Sequence, residues 1–228
     1  MTVKQLAYKA EKYIGLSTDT KPTAALNNTH VSATFLEYDT GKLFITHDGT
    51  NWVEKLNLIA AAGVVKTVRT PKAIAAAGDY AADDVVSESA TAGTDWDFAA
   101  IFRVNGVGGY LVKAQAIWQT TALAPRLTVY LFNVAPANCV LNDNVANTAP
   151  HNTDKASYVG RIDFPALEDL GTGISVAVAT PSTVGNLPLW VDAASDADDL
   201  FGVVVTRDAI TGEAATNELS IELCVEQY

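Results

Sequence analysis

Tyr110–Val134 reads Y-L-V-K-A-Q-A-I-W-Q-T-T-A-L-A-P-R-L-T-V-Y-L-F-N-V, and it decides the fold. Its first part places Val112, Ala114, Ala116 and Trp118 on one side and Lys113, Gln115 and Gln119 on the other. That period of two marks a half-buried strand, and Ile117 interrupts it. A turn containing Pro125 follows. The second part, Arg126 to Phe132, carries Leu127, Val129 and Leu131 on one side and Thr128, Tyr130 and Phe132 on the other. Two apolar or aromatic faces suit a central or interface strand better than one facing solvent.

Strand-and-turn patterns continue on the C-terminal side. Ser157–Phe164, Gly171–Thr180, Leu187–Val191, Phe201–Thr206 and Glu218–Glu226 read as strands. Phe201–Thr206 is nearly all apolar and is expected at a sheet centre. In the last strand Leu219, Ile221, Leu223 and Val225 alternate with Ser220, Glu222, Cys224 and Glu226. The polar segment Pro136–Lys155 is too long for a hairpin and is expected to wrap over the fold. Gly78–Val86, Asp95–Phe98 and Ile101–Val104 complete the strand set. No helical period exceeds two turns here, so residues 78–228 are expected to form an all-β, jelly-roll-like sandwich.

The N-terminal part differs. Val3, Leu6, Ala7, Ala10 and Ile14 follow helical spacing, with Gly15 as a stop. Residues 29–55 then read as a small three-stranded meander: Ala33–Tyr38, Leu43–His47 and Asn51–Lys55, with turns at Asp39–Lys42 and Asp48-Gly49. A sheet this small is marginal alone. Residues 1–57 thus form an arm and meander, and residues 58–77 a connector containing a strand at Val64–Val68 and punctuated by Pro71.

The 228-residue chain is 49% hydrophobic and 18% charged, enough apolar material for a sizeable core. Its net charge of −11 is uneven: residues 1–70 hold 8 Lys+Arg and 6 Asp+Glu, residues 71–228 hold 7 and 20. An acidic body lacks the basic footprint of a nucleic-acid binder. No signal-peptide pattern is visible, and the longest apolar run, Leu58–Val65, is about half a membrane span. A protein made in the cytoplasm with no membrane association is expected. Its two cysteines, Cys139 and Cys224, permit one disulfide, but free thiols in a reducing compartment are the plainer reading.

Catalytic patterns are sparse. The histidines, His30, His47 and His151, have no second ligand at metal spacing. Gly173–Ala177 resembles a degraded nucleophile elbow, but that motif needs a strand–turn–helix context; here Ser175 lies in a strand whose expected core side is Ile174, Val176 and Val178. No enzymatic activity and no cofactor are expected. Asp192, Asp196, Asp198 and Asp199 form the best candidate metal group, suited to calcium by their oxygen ligands but lacking EF-hand order; Asp143, Asn144 and Asp154 are a weaker one. Trp96, between Asp95 and Asp97, is a candidate ligand-facing aromatic, whereas Trp118 belongs to the core by pattern.

The segment T-F-L-E-Y-D-T-G-K-L-F-I-T-H-D-G-T-N-W-V, residues 34–53, resembles a hairpin module of tailed-bacteriophage structural proteins. The body is similar to phage capsid decoration (cement) or head-fibre proteins in the order of Ala81–Val86, Gly108-Gly109, Leu127–Asn133 with Pro136, Asp143-Asn144 and Tyr158–Gly160. The resemblance implies a non-enzymatic jelly-roll protein, often trimeric, on the exterior of a virion head, with the major capsid protein as partner. Residues 1–57 would dock, with Phe35, Tyr38, Phe44 and Trp52 as anchors, although Phe35 and Phe44 also suit the meander's own core. The alternative is a receptor-binding or tail-fibre module with a lectin-like sandwich, dependent on Trp96 or the Asp192–Asp199 loop.

Overall fold

A computed structural model describes residues 11–24, 32–55, 64–120, 123–171, 173–179 and 186–227. The fourteen elements named among the described residues are strands, and the chain divides into two compact units between residues 63 and 64.

The first unit is a four-stranded sheet in the order β1-β2-β3-β4, formed by β1 (Lys12–Gly15), β2 (Thr34–Glu37), β3 (Leu43–Thr46) and β4 (Trp52–Glu54). The three expected meander strands are present and antiparallel. The helix expected before Gly15 is corrected at its end: Ile14 and Gly15 lie in β1, which pairs with β2 in parallel. Val3, Leu6, Ala7 and Ala10 lie outside the described residues. Gly15 is required by close approach, because a Cβ there would stand 2.8 Å from the Phe35 ring.

The second unit is a sandwich of two antiparallel sheets. One has the order β10-β11-β7-β14-β5, with β12 also on β7. Its strands are β5 (Val64–Ala73), β7 (Gly108–Trp118), β10 (Glu168–Asp169), β11 (Ser175–Ala179), β12 (Leu189–Asp192) and β14 (Glu218–Gln227). The other has the order β6-β13-β8-β9, from β6 (Trp96–Phe98), β8 (Leu127–Phe132), β9 (Tyr158–Asp163) and β13 (Leu200–Thr206). The strand orders β5-β14-β7-β11 and β6-β13-β8-β9 are jelly-roll-like, with β5 to β8 alternating between the sheets and β8 and β9 pairing within one. Residues 64–73, expected within a connector, are a full strand of the sandwich. Pro71 fits because β5 is an edge strand, where a missing N–H costs no ladder bond.

The core lies between the sheets. Leu219, Ile221, Leu223 and Val225 of β14 are all 0% exposed and meet Leu127, Val129 and Leu131 of β8. Burial at this level contributes roughly 1.5–3 kcal/mol per aliphatic side chain. The strands of Tyr110–Val134 are not a paired hairpin. β7 and β8 lie in opposite sheets, so the segment between them crosses the sandwich. The phase of β7 also differs from expectation near its start. Val112 is the extra residue of a β-bulge, since Cys224 pairs with Lys113 and Val225 with Leu111. Leu111 rather than Val112 therefore reaches the core.

β8 is buried along its whole length. Its second face, with Tyr130 and Phe132, joins Val203, Val205 and Val85 in a smaller cluster covered by Cys139 and Ala149 of the 133–157 segment. The expected wrapping of that segment is thus observed. Asp143 fixes it by accepting hydrogen bonds from Tyr80 Oη (2.8 Å), the Ser87 amide (2.8 Å) and the Ala77 amide (3.1 Å).

Candidate functional site

The N-terminal sheet has two faces of different chemistry, set by its register. Tyr13, Phe35, Phe44 and Glu54 form one cross-strand row. This face packs beneath residues 16–24. Lys21 Nζ lies 5.2 Å from the Phe35 ring centroid and 4.1 Å from that of Phe44, and ion-pairs with Glu37 at 2.6 Å. Trp52 packs edge-on against Tyr13 (6.3 Å) and Phe35 (6.0 Å), and its indole N–H donates to the Pro22 carbonyl at 2.7 Å. The hydrogen bond from Lys21, followed by that from Thr40, holds the Glu37 carboxyl below its ordinary range.

Three of the expected anchors, Phe35, Phe44 and Trp52, are therefore drawn into this small aromatic core. Phe35 is 3% exposed, while Tyr38 is 61% exposed. The opposite face holds Ile14, Leu36 and Leu43 in one row and Ile45 and Val53 in the next. It stays open: Ile14 is 68% exposed, Val53 54% and Leu36 38%. With Tyr38 at its end, this is an aliphatic surface on a sheet whose polar and aromatic groups are already satisfied on the other side. The alternation of Leu36, Leu43, Ile45 and Val53 against the aromatic positions carries this surface in the sequence.

The body candidates fare differently. Trp96 is 1% exposed, on the core side of β6, with its indole N–H 3.4 Å from the Val86 carbonyl. It is not ligand-facing. Because side chains alternate, the outward Asp95 and Asp97 require Trp96 to point inward. Asp192, Asp196, Asp198 and Asp199 do not converge; no group of three or more His, Cys, Asp or Glu suited to a metal occurs among the described residues. Asp199 Oδ1 instead accepts the Ala100 amide at 2.6 Å, and the Asp196 carbonyl accepts from Asn105 Nδ2 at 2.8 Å.

Asp143 and Asp154 are likewise engaged in loop hydrogen bonds, Asp154 with the Asn138 amide (2.9 Å) and side chain (2.7 Å). Ser175 is 0% exposed and donates to the Thr120 carbonyl at 2.6 Å. Its expected strand phase is inverted: Ser175, Ala177 and Ala179 face the core, while Ile174 and Val178 face out. The reason is steric, since Ser175 lies directly opposite the buried Trp118 and only small side chains fit there. Cys139 and Cys224 are unpaired thiols, and burial pushes Cys139 up to about 11.

An exposed aromatic pair that the expected strand pattern did not single out lies on β7 and β12. Tyr110 and Trp190 are cross-strand partners with ring centroids 5.1 Å apart, and Trp190 is 52% exposed. No helix among the described residues is long and apolar enough to cross a membrane. No protein-family model matches the sequence, and no curated protein matches it.

Proposed function

We propose that the chain is a virion structural protein, a capsid decoration protein that binds the outside of a phage head and stabilises it, acting as a homotrimer. The observation that carries this reading is the open aliphatic face of the N-terminal sheet, with Ile14, Leu36 and Val53 exposed. Such a face has a large transfer free energy to gain from a partner, roughly 25 cal/mol per Å² of apolar surface covered. The occupant is the major capsid protein, a repeating surface on which many copies bind. The docking part is close to electrically neutral, whereas residues 71–228 hold 7 Lys+Arg against 20 Asp+Glu. That polarity suits a neutral foot on a shell and an acidic, well-hydrated domain kept apart from its neighbours by repulsion. Binding to the assembled shell alone stabilises it by mass action. The jelly-roll order is compatible with this role but, as a fold-level analogy, does not specify it.

The test uses heads purified without the protein. Wild-type chain added to them should co-sediment at a fixed ratio to the major capsid protein. The double variant Ile14→Asp/Val53→Asp should retain its circular dichroism and lose co-sedimentation. Undiminished binding of the variant would remove the aliphatic face as anchor; failure of the wild-type chain to bind heads would remove the reading itself.

A further inference from the structure

The sandwich carries a cavity of about 780 Å³ outside the core, between the 133–157 cover and the segment that leads into β12. Tyr130, Tyr158, Arg161, Asn186, Pro150 and Pro188 line it. Tyr130 and Arg161 are direct cross-strand partners on β8 and β9. Tyr130 is only 8% exposed, yet it reaches this cavity, and its hydroxyl makes no hydrogen bond with any described residue. A hydroxyl at the open end of an otherwise buried side chain, without a partner among the described residues, is a group available to a ligand or to water. The Tyr158 hydroxyl is also without a partner among the described residues, and its ring is fixed by edge-on packing against Phe132 at 5.7 Å.

We propose that this cavity binds an uncharged sugar residue. The chemistry is that of a saccharide: apolar C–H faces with hydroxyls at the rim. The two tyrosine rings and the two prolines offer flat apolar walls, and rigid aromatics lose little freedom on binding. The rim supplies both donors and acceptors. Arg161 Nε stands 3.2 Å from Asp163 Oδ2, and the rest of its guanidinium fork makes no hydrogen bond with a described residue. Asp163 is itself held by Thr128 Oγ1 at 2.7 Å and Asn186 Nδ2 at 3.2 Å.

This Arg–Asp pair also argues for a neutral ligand. The cation is already compensated within the site, and the surrounding domain carries a large excess of acidic groups, so a carboxylated sugar meets no net attraction. The volume fits one or two sugar rings. The aromatic candidate read from the sequence, Trp96, is buried, whereas the tyrosines here lie against a formed recess.

The experiment uses the full chain. Maltose, lactose, N,N′-diacetylchitobiose and, as the charged comparison, glucuronic acid are titrated by saturation-transfer NMR and calorimetry, alongside an array of neutral and acidic glycans. Saturable binding of a neutral glycan is expected, with Kd of about 1 mM or below. Tyr130→Phe removes only the unpartnered hydroxyl, leaves stability unchanged, and should weaken binding about three- to tenfold. Tyr158→Ala should abolish it, and Trp190→Ala, on the exposed aromatic pair, should leave it intact. The proposal is overturned if no neutral glycan binds at ~10 mM, if only acidic glycans bind, if Tyr130→Phe binds as wild type, or if Trp190→Ala alone removes binding.

Discussion

Replacing Asp143 by alanine tests whether one carboxylate pins the long cover to the sandwich. Asp143 is 1% exposed and receives the Tyr80 hydroxyl, the Ser87 amide and the Ala77 amide. Tyr80 and Ser87 are themselves buried, at 2% and 1% exposure, while Ala77 is exposed and its amide can turn to water. Burial, reinforced by the Asp143 charge, keeps the Tyr80 phenol far above its ordinary value, so it remains a donor at any working pH. Truncation therefore strands two buried donors, each costing about 1–3 kcal/mol. The expected loss is about 4 kcal/mol, or a fall of about 8–16 °C in the melting temperature of a domain this size.

Tyr80→Phe, which removes one donor and leaves the acceptor with two others, should cost only about 1 kcal/mol. Urea unfolding followed by circular dichroism gives the total, with the two units fitted as separate transitions. Hydrogen exchange at the Ser87 amide gives the local effect. A loss below about 1 kcal/mol for Asp143→Ala, with Ser87 still protected, would refute the claim that this contact holds the cover in place.

Two further outcomes are expected from the same fold. Burial works against ionisation of Glu88, yet hydrogen bonds from Lys72 (2.6 Å), Thr94 (2.6 Å) and Ser87 (2.8 Å) prevail and hold it at about 2. A depressed carboxyl contributes stability that is complete above its unfolded value of 4.5 and is lost as pH falls towards 2. Glu88→Gln should therefore flatten the acid limb of the stability curve in that window; an unchanged limb would contradict the assignment. The buried Cys139 thiol, raised to about 11, should resist iodoacetamide at pH 8, whereas the half-buried Cys224 reacts first. Peptide mapping by mass after timed alkylation distinguishes them, and equal rates would show that the cover opens readily.

Much of the architecture was legible because period-two patterning reports directly on which face of a strand is buried. β14 is the plainest case, with Leu219, Ile221, Leu223 and Val225 inward. Two apolar faces correctly placed β8 inside its sheet, between β13 and β9. The misreadings have specific causes. At Val112 a bulge changes the phase within one strand, and the bulge is set by the partner strand. On β11 the larger side chains face outward because Trp118 occupies the space opposite Ser175, a volume constraint that local hydrophobicity cannot show. Ile14, expected at the end of a helix, lies instead in β1, where pairing with β2 sets its conformation.

The site was less legible for a related reason. The exposed aliphatic row of the N-terminal sheet and its buried aromatic row alternate along the same strands. Which of them is covered depends on Lys21, Pro22 and their neighbours lying over the aromatic side. The cavity beside Tyr130 joins residues from β8, β9 and the segment before β12, which no spacing rule connects.

The position of β14 has a consequence for how the chain is made. It pairs with β5 on one side and β7 on the other, joining Val64–Ala73 and Gly108–Trp118 to residues translated last among the described strands. During synthesis, until residues 218–227 leave the ribosome, β5 has no ladder partner among the described strands and β7 keeps an open edge. The nascent chain then presents unpaired ladders together with the apolar inner faces that β14 later covers. Closure of the sandwich consequently waits on residues 218–227 and is dominated by contacts distant in sequence, and a chaperone that shields β7 in the interval would raise yield without altering the finished fold.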